Sequence, residues 1–168
     1  EIMDENIGRV LQTLVDLELE TDTLVFFCSD NGAVSIGNNG GLRGDKGSLW
    51  EGGHRVPAIA YWPGKIEPGE TSATMLSMDV MPTFVNLAGI RSTNIPTMDG
   101  VDISAHLLNR EALPERTVFW AYRGQKVVRR GEWKLFIENE NEYLFNLEND
   151  RNETTNLIAD HPDLVTDL

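Results

Sequence analysis

The sequence predicts an α/β fold: part of a helix-covered sheet, followed by a small antiparallel sheet backed by a helix. Three observations predict it. A helical period runs directly into a strand that is apolar on both faces; a second apolar strand and another helix follow a glycine-rich stretch; and four short alternating segments joined by turn residues lie near the C-terminus.

Taking the elements in order, Ile7, Val10, Leu11, Leu14 and Leu17 recur at steps of three and four with Asp4, Glu5, Arg9, Gln12 and Asp16 between them, which predicts an amphipathic helix laid on something. Thr21-Asp22-Thr23 breaks the period. Thr23 to Cys28 (TLVFFC) then reads as a central strand covered on both faces. Cys28, the one cysteine, is expected as a small buried hydrophobe. Eight glycines crowd Gly32 to Gly53, too many for regular structure, so a long loop is expected there. Val56 to Trp62 predicts a second strand. Thr74 to Ala88 predicts a helix that Pro82 restarts or kinks, capped by Leu87-Ala88-Gly89.

From Arg91 to Pro114 the pattern is irregular, and the domain boundary is placed there, giving 1–113 and 114–168. Strands are predicted at Thr117 to Tyr122, Lys126 to Arg130, Trp133 to Glu138 and Glu142 to Leu147, with a helix near Pro162 to Leu168. Trp120, Tyr122, Trp133, Phe136, Tyr143 and Phe145 alternate as a sheet core requires. His106 and His161 read as surface or packing residues, and Glu138, Glu140, Glu142, Glu148, Asp150 and Glu153 as a solvated acidic rim. Asn152-Glu153-Thr154 is a glycosylation sequon, with meaning only in a secretory eukaryotic context.

Charge narrows the function. The 168 residues carry a formal charge of −13, which excludes duplex nucleic acid and anionic bilayers as partners. The longest apolar runs, Leu24 to Cys28 and Ala58 to Trp62, are too short to span a membrane. Glu1 opens an amphipathic pattern, so no signal peptide is expected.

Two stretches carry chemistry. Ser29-Asp30-Asn31-Gly32 follows the first strand, where open α/β sheets bind ligands, and a carboxylate beside an amide oxygen suits a hard cation such as Ca²⁺ or Mg²⁺. Asp-Asn-Gly is equally good turn chemistry. The second stretch, Gly40 to Arg55, lacks the Gly-Lys-Ser/Thr of a phosphate-binding P-loop. It does place Arg43, Lys46, His54 and Arg55 within thirteen residues of an otherwise acidic chain. That exception suits a phosphate- or sulfate-type oxyanion, and it also suits a mobile loop with solvated charges.

The strings TLVFFCSDNG (Thr23 to Gly32), GGLRGDKGSLWEGGHRVPAIAYWPGKI (Gly40 to Ile66) and MDVMPTFVNLAGI (Met78 to Ile90) together resemble the second half of a sulfatase of the arylsulfatase or N-acetylgalactosamine-6-sulfatase type, in the alkaline-phosphatase-like superfamily. DGVDIS (Asp99 to Ser104), RRGEWKL (Arg129 to Leu135) and YLFNLENDRNETTNL (Tyr143 to Leu157) are similar to that family's C-terminal subdomain.

The resemblance implies that Asp30 and Asn31 ligate the active-site divalent cation, usually calcium, and that Lys46 contacts the sulfate ester. It offers Arg43 and His54 as weaker substrate contacts and leaves Arg55 a structural role. It implies a sulfate ester substrate, with a sulfated glycan suggested by family habit. The formylglycine nucleophile comes from a Cys/Ser-x-Pro-x-Arg motif, which these 168 residues do not contain. That nucleophile and the first metal-binding aspartates are therefore expected in an N-terminal half, without which no turnover is expected. Family habit places such enzymes in the periplasm or secreted in bacteria and in lysosomes in animals. Two alternatives stand beside this reading: a phosphoester or phosphonate hydrolase of the same superfamily, and a non-catalytic acidic binding domain.

Overall fold

The structure is a computed structural model that describes residues 1–91 and 95–168. The chain divides into two compact units, one made of residues 1–27 and 59–113 and the other of residues 28–58 and 114–168. The boundary region that opens at Arg91 includes residues 92–94, which lie outside the described residues.

Helix α1 (Ile2–Asp16), in the first unit, leads through a 3-10 turn at Glu20–Asp22 into strand β1 (Val25–Cys28), which pairs with β2 (Ala58–Tyr61) as a two-stranded sheet; all but Cys28 and Ala58 of these strands belong to the first unit. Trp62 Nε1 donates to the Thr21 carbonyl at 2.7 Å and ties the end of β2 to the start of β1. The sequence predicts a covered helix and a central strand, and both differ here. No residue of α1 is buried, and Phe27 and Cys28 at the end of β1 are exposed. Within these 168 residues β1 has one partner, β2, so the Cys28 thiol is exposed here where the sequence predicts it buried.

The expected helix over 74–88 is shorter. A 3-10 turn at Ser77–Asp79 precedes α3 (Val80–Leu87), and Pro82 falls in its first turn, where the missing N–H costs nothing. The turn α2 (Glu51–His54) belongs to the second unit. A short helix α4 (Ser104–Asn109), which the irregular sequence pattern conceals, packs beside α3.

Asp79 and Thr83 join the two helices. The Asp79 carboxylate, fully buried, accepts from the backbone N–H groups of Leu76 (2.7 Å) and Val101 (3.0 Å). Thr83 Oγ1 donates to the Asp79 carbonyl and accepts from Ile103 N. His106, read as a packing residue, is buried and held by Thr71 Oγ1 and the Glu111 carbonyl.

In the second unit, β3 (Thr117–Tyr122), β4 (Gln125–Arg130), β5 (Trp133–Glu138) and β6 (Asn141–Asn146) form an antiparallel meander in that spatial order. Both φ angles are positive at Arg123-Gly124 and at Asn139-Glu140, the geometry that matches a hairpin turn to strand twist. Alternation sorts the sheet into two faces. On one, Val127, Phe136 and Phe145 pack with Leu49, Trp50 and Leu147. On the other, Val128, Leu135 and Leu144 pack with Leu164 and Val165 of α5 (Pro162–Asp167). No helix among the described residues is long and apolar enough to cross a membrane.

Candidate functional site

Asp30 and Asn31 occupy the turn after β1. Ser29 Oγ donates to the Asn31 carbonyl at 2.8 Å, and Asn31 Nδ2 donates to Asp30 Oδ2 at 2.5 Å. The turn is stapled to the glycine-rich stretch at the next two residues. Gly32 N donates to the Gly53 carbonyl at 3.0 Å, and Lys46 N donates to the Ala33 carbonyl at 3.0 Å. Asn39 completes the assembly: its Oδ1 accepts from Ala33 N at 2.7 Å and its Nδ2 donates to the Gly44 carbonyl at 3.0 Å. The glycines have a steric reason here. A Cβ on Gly32 would stand 1.8 Å from the Gly52 carbonyl oxygen, and one on Gly52 would stand 2.3 Å from that of Gly44. Two sequence motifs that carried separate readings are therefore one packed loop assembly.

Within that assembly the cations divide. Lys46 is exposed, and among the described residues its ammonium has no hydrogen bond or ion pair. Arg43, by contrast, lies with its guanidinium 3.5 Å from the Trp50 ring centroid and donates to the Glu153 carbonyl at 2.9 Å. His54 Nε2 lies 3.2 Å from Glu51 Oε1, with its ring 5.0 Å from that of Trp120. Arg55 Nη1 lies 3.2 Å from Glu51 Oε2. Arg43, His54 and Arg55 thus hold protein partners, while Lys46 alone of the four has none among the described residues.

Beneath the assembly sits a cluster that sequence reasoning missed. Lys134 on β5 is fully buried; its Nζ donates to the Leu49 carbonyl at 2.7 Å and to Glu51 Oε1 at 3.0 Å, and pairs with Glu153 Oε1 at 2.7 Å. Glu51 N donates to Glu153 Oε2 at 2.7 Å. Glu153 is therefore no part of a solvated rim; it is fully buried. The turn that carries it is held by Asp150, whose carboxylate accepts from Thr154 N and Thr155 N. One signal was present in the sequence: Lys134 takes an inward register position between Arg129 and Phe145 in a strand whose next three residues are apolar.

Burial opposes ionisation of both carboxyls of this cluster, and their net shifts run in opposite directions. Burial works against ionisation of Glu51, but the His54 hydrogen bond and the Lys134 charge outweigh it, and its pKa stays well below the usual carboxylate range. For Glu153 burial prevails over Lys134 and pushes the pKa up. Burial also lowers that of Arg129, with Glu51 opposing. Removing one member of such a buried group strands the others without compensation.

Among the described residues no group of three or more His, Cys, Asp and Glu side chains converges on a metal position. Asp30 is exposed and could supply a carboxylate oxygen to a hard cation, whereas Asn31, whose amide nitrogen faces Asp30 Oδ2, would have to turn its amide oxygen toward the same ion.

Against known proteins, the family model described as Sulfatase matches residues 1–90. The chain is 43% identical over 143 residues to arylsulfatase A of Bos taurus, covering 79% of this chain and 28% of that one. It is 39% identical over 141 residues to N-acetylgalactosamine-6-sulfatase of Canis lupus familiaris, covering 79% and 27%. The crystal structure of Ps i-CgsB in complex with k-i-k-neocarrahexaose matches with a TM-score of 0.86 at 29% identity, over 98% of this chain and 38% of that chain. The chain thus spans less than a third of the two curated relatives. The family match over more than half its length, the identity to these relatives and the shared fold establish that the chain belongs to the sulfatase family.

Proposed function

We propose that these 168 residues supply one wall of the active site of a sulfuric ester hydrolase, with the nucleophile supplied from outside them. The observation that carries this reading is the stapling of the Asp30-Asn31 turn to the Lys46 loop through Gly32–Gly53 and Ala33–Lys46. Hard oxygen donors and a solvent-facing ammonium then share one rigid loop assembly, which is what a sulfate monoester, with charge spread over its oxygens, needs for recognition.

Asp30 and Asn31 would hold a calcium ion as two of its oxygen ligands. When bound, that ion polarises sulfate oxygens as a Lewis acid. Lys46 adds a second cation to the same oxygens, stabilising charge as it moves toward the leaving oxygen. Arg43 and His54, committed to Glu153 and Glu51, act on the shape of the loop more than on the ester. The formylglycine nucleophile belongs to residues beyond these, since no Cys/Ser-x-Pro-x-Arg occurs among them. A sulfated glycan is the substrate class we propose, by analogy with the oligosaccharide in the Ps i-CgsB complex.

The test is hydrolysis of 4-nitrocatechol sulfate. The purified 168-residue chain is expected to release no nitrocatechol, and the full-length gene product to release it until calcium is chelated. Release by the 168 residues alone, or full activity of the full-length protein in chelator, would overturn the reading.

A further inference from the structure

We propose that Lys134 is a positioning residue, which fixes from the sheet the loop on which Lys46 stands; this rests on the sulfatase-site reading of Lys46. A buried ion cluster is a poor way to gain stability, because desolvating its members costs about as much as their attraction returns. What ions and their hydrogen bonds supply, and an apolar plug does not, is direction.

The directions here all converge on one segment. Lys134 donates to the Leu49 carbonyl and the Glu51 carboxylate and forms an ion pair with the Glu153 carboxylate. Leu49 is held a second time, its N–H donating to Gln125 Oε1 at 2.6 Å. Glu51 is held a second time through its N–H to Glu153 Oε2. Arg43, at the other end of the segment, is tied to the backbone of Glu153 and to the Trp50 ring. Trp50 itself is anchored edge-on to Phe136, their centroids 4.3 Å apart.

The stretch from Arg43 to Glu51 is therefore clamped at both ends onto β4, β5 and the turn at Glu153, and its one free cation, among the described residues, is Lys46. The loop cannot slide along the sheet without leaving Lys134 or a carboxylate buried and alone. A displacement of about 1 Å at a group that must meet a reacting oxyanion lowers rates about 100-fold, so the clamp has a catalytic consequence although Lys134 touches no substrate.

A double-mutant cycle on the full-length protein tests this, with kcat/KM for 4-nitrocatechol sulfate as the readout and circular dichroism confirming the folded state. Lys46→Ala is expected to lose about 100-fold, and Lys134→Met about 10- to 100-fold. In the Lys46→Ala background, Lys134→Met is expected to cost less than about 2-fold, because its effect runs through Lys46. Losses that multiply would overturn the positioning role, as would an unchanged Lys134→Met variant. An unchanged Lys46→Ala variant would instead overturn the site reading on which the inference rests. Gln125→Leu, which leaves the ion cluster intact, carries the same test if Lys134→Met does not fold: a loss of about 3- to 10-fold in the parent and none beside Lys46→Ala is expected, and equal losses in both would overturn it.

Discussion

Asp30 and Glu51 belong to the same loop assembly and differ in almost everything else. Asp30 is exposed, and among the described residues its one hydrogen bond is accepted from the neighbouring amide of Asn31. Glu51 is buried and saturated, with Lys134, His54 and Arg55 on its oxygens and Glu153 on its N–H. The first leaves its remaining lone pairs to solvent, and the second has spent them on the chain. One loop assembly thus carries a carboxylate left open to solvent and a carboxylate committed to the chain, and the surrounding partners decide which is which.

That contrast can be broken at either end. The largest effect is expected from Glu51→Ala, which strands Lys134 in the interior and lowers stability by about 3 to 5 kcal/mol, measured by denaturant unfolding. Asp30→Ala should do the reverse: activity toward 4-nitrocatechol sulfate in the full-length protein falls about 10²- to 10³-fold, while the unfolding midpoint stays put. An Asp30→Ala variant that unfolds early but turns over normally would erase the distinction.

Acid sharpens it next. The folded pKa of Glu51 lies below its ordinary 4.5, so its stabilising contribution is present above that value and is lost as pH falls beneath it, by at most about 1.4 kcal/mol per pH unit. Glu51→Gln should therefore be most destabilised near neutral pH, with the gap to the parent closing in acid. Glu153, whose pKa is raised, runs the other way: its contribution is lost as pH rises, and Glu153→Gln should gain on the parent from acid to neutral pH. The smallest effect is expected at Cys28→Ser, an exposed strand end, at within about 0.5 kcal/mol by thermal unfolding.

Much of the second unit was legible in the sequence because its information is local. Thr117–Tyr122 and Trp133–Glu138 form as strands with the bounds that alternation predicts, and β4 and β6 shift by one residue. Each strand pairs with the next through a tight turn, so register follows from neighbours. The first unit was less legible because apolar pattern reports a tendency to be covered and not the cover itself. That is why α1 and the end of β1 read as buried and are exposed. In the site, Asp30, Asn31 and Lys46 stood out by composition, and their union through Gly32 and Ala33 did not. The Glu51–Lys134–Glu153 cluster was least visible: 83 positions separate Glu51 from Lys134, and no short window contains both.

That separation also sets a timetable. Glu153 follows Glu51 by 102 positions, and at about 5–20 residues per second on the ribosome the interval is roughly 5 to 20 seconds. For the first 83 of those positions the nascent Arg43-to-Glu51 segment exists without Lys134 to grip, and for all of them without Glu153. The cluster is complete only once translation has passed the turn at Asp150, so this loop assembly is finished late, and the emerging chain carries an unsheltered tryptophan until the aromatic strands follow.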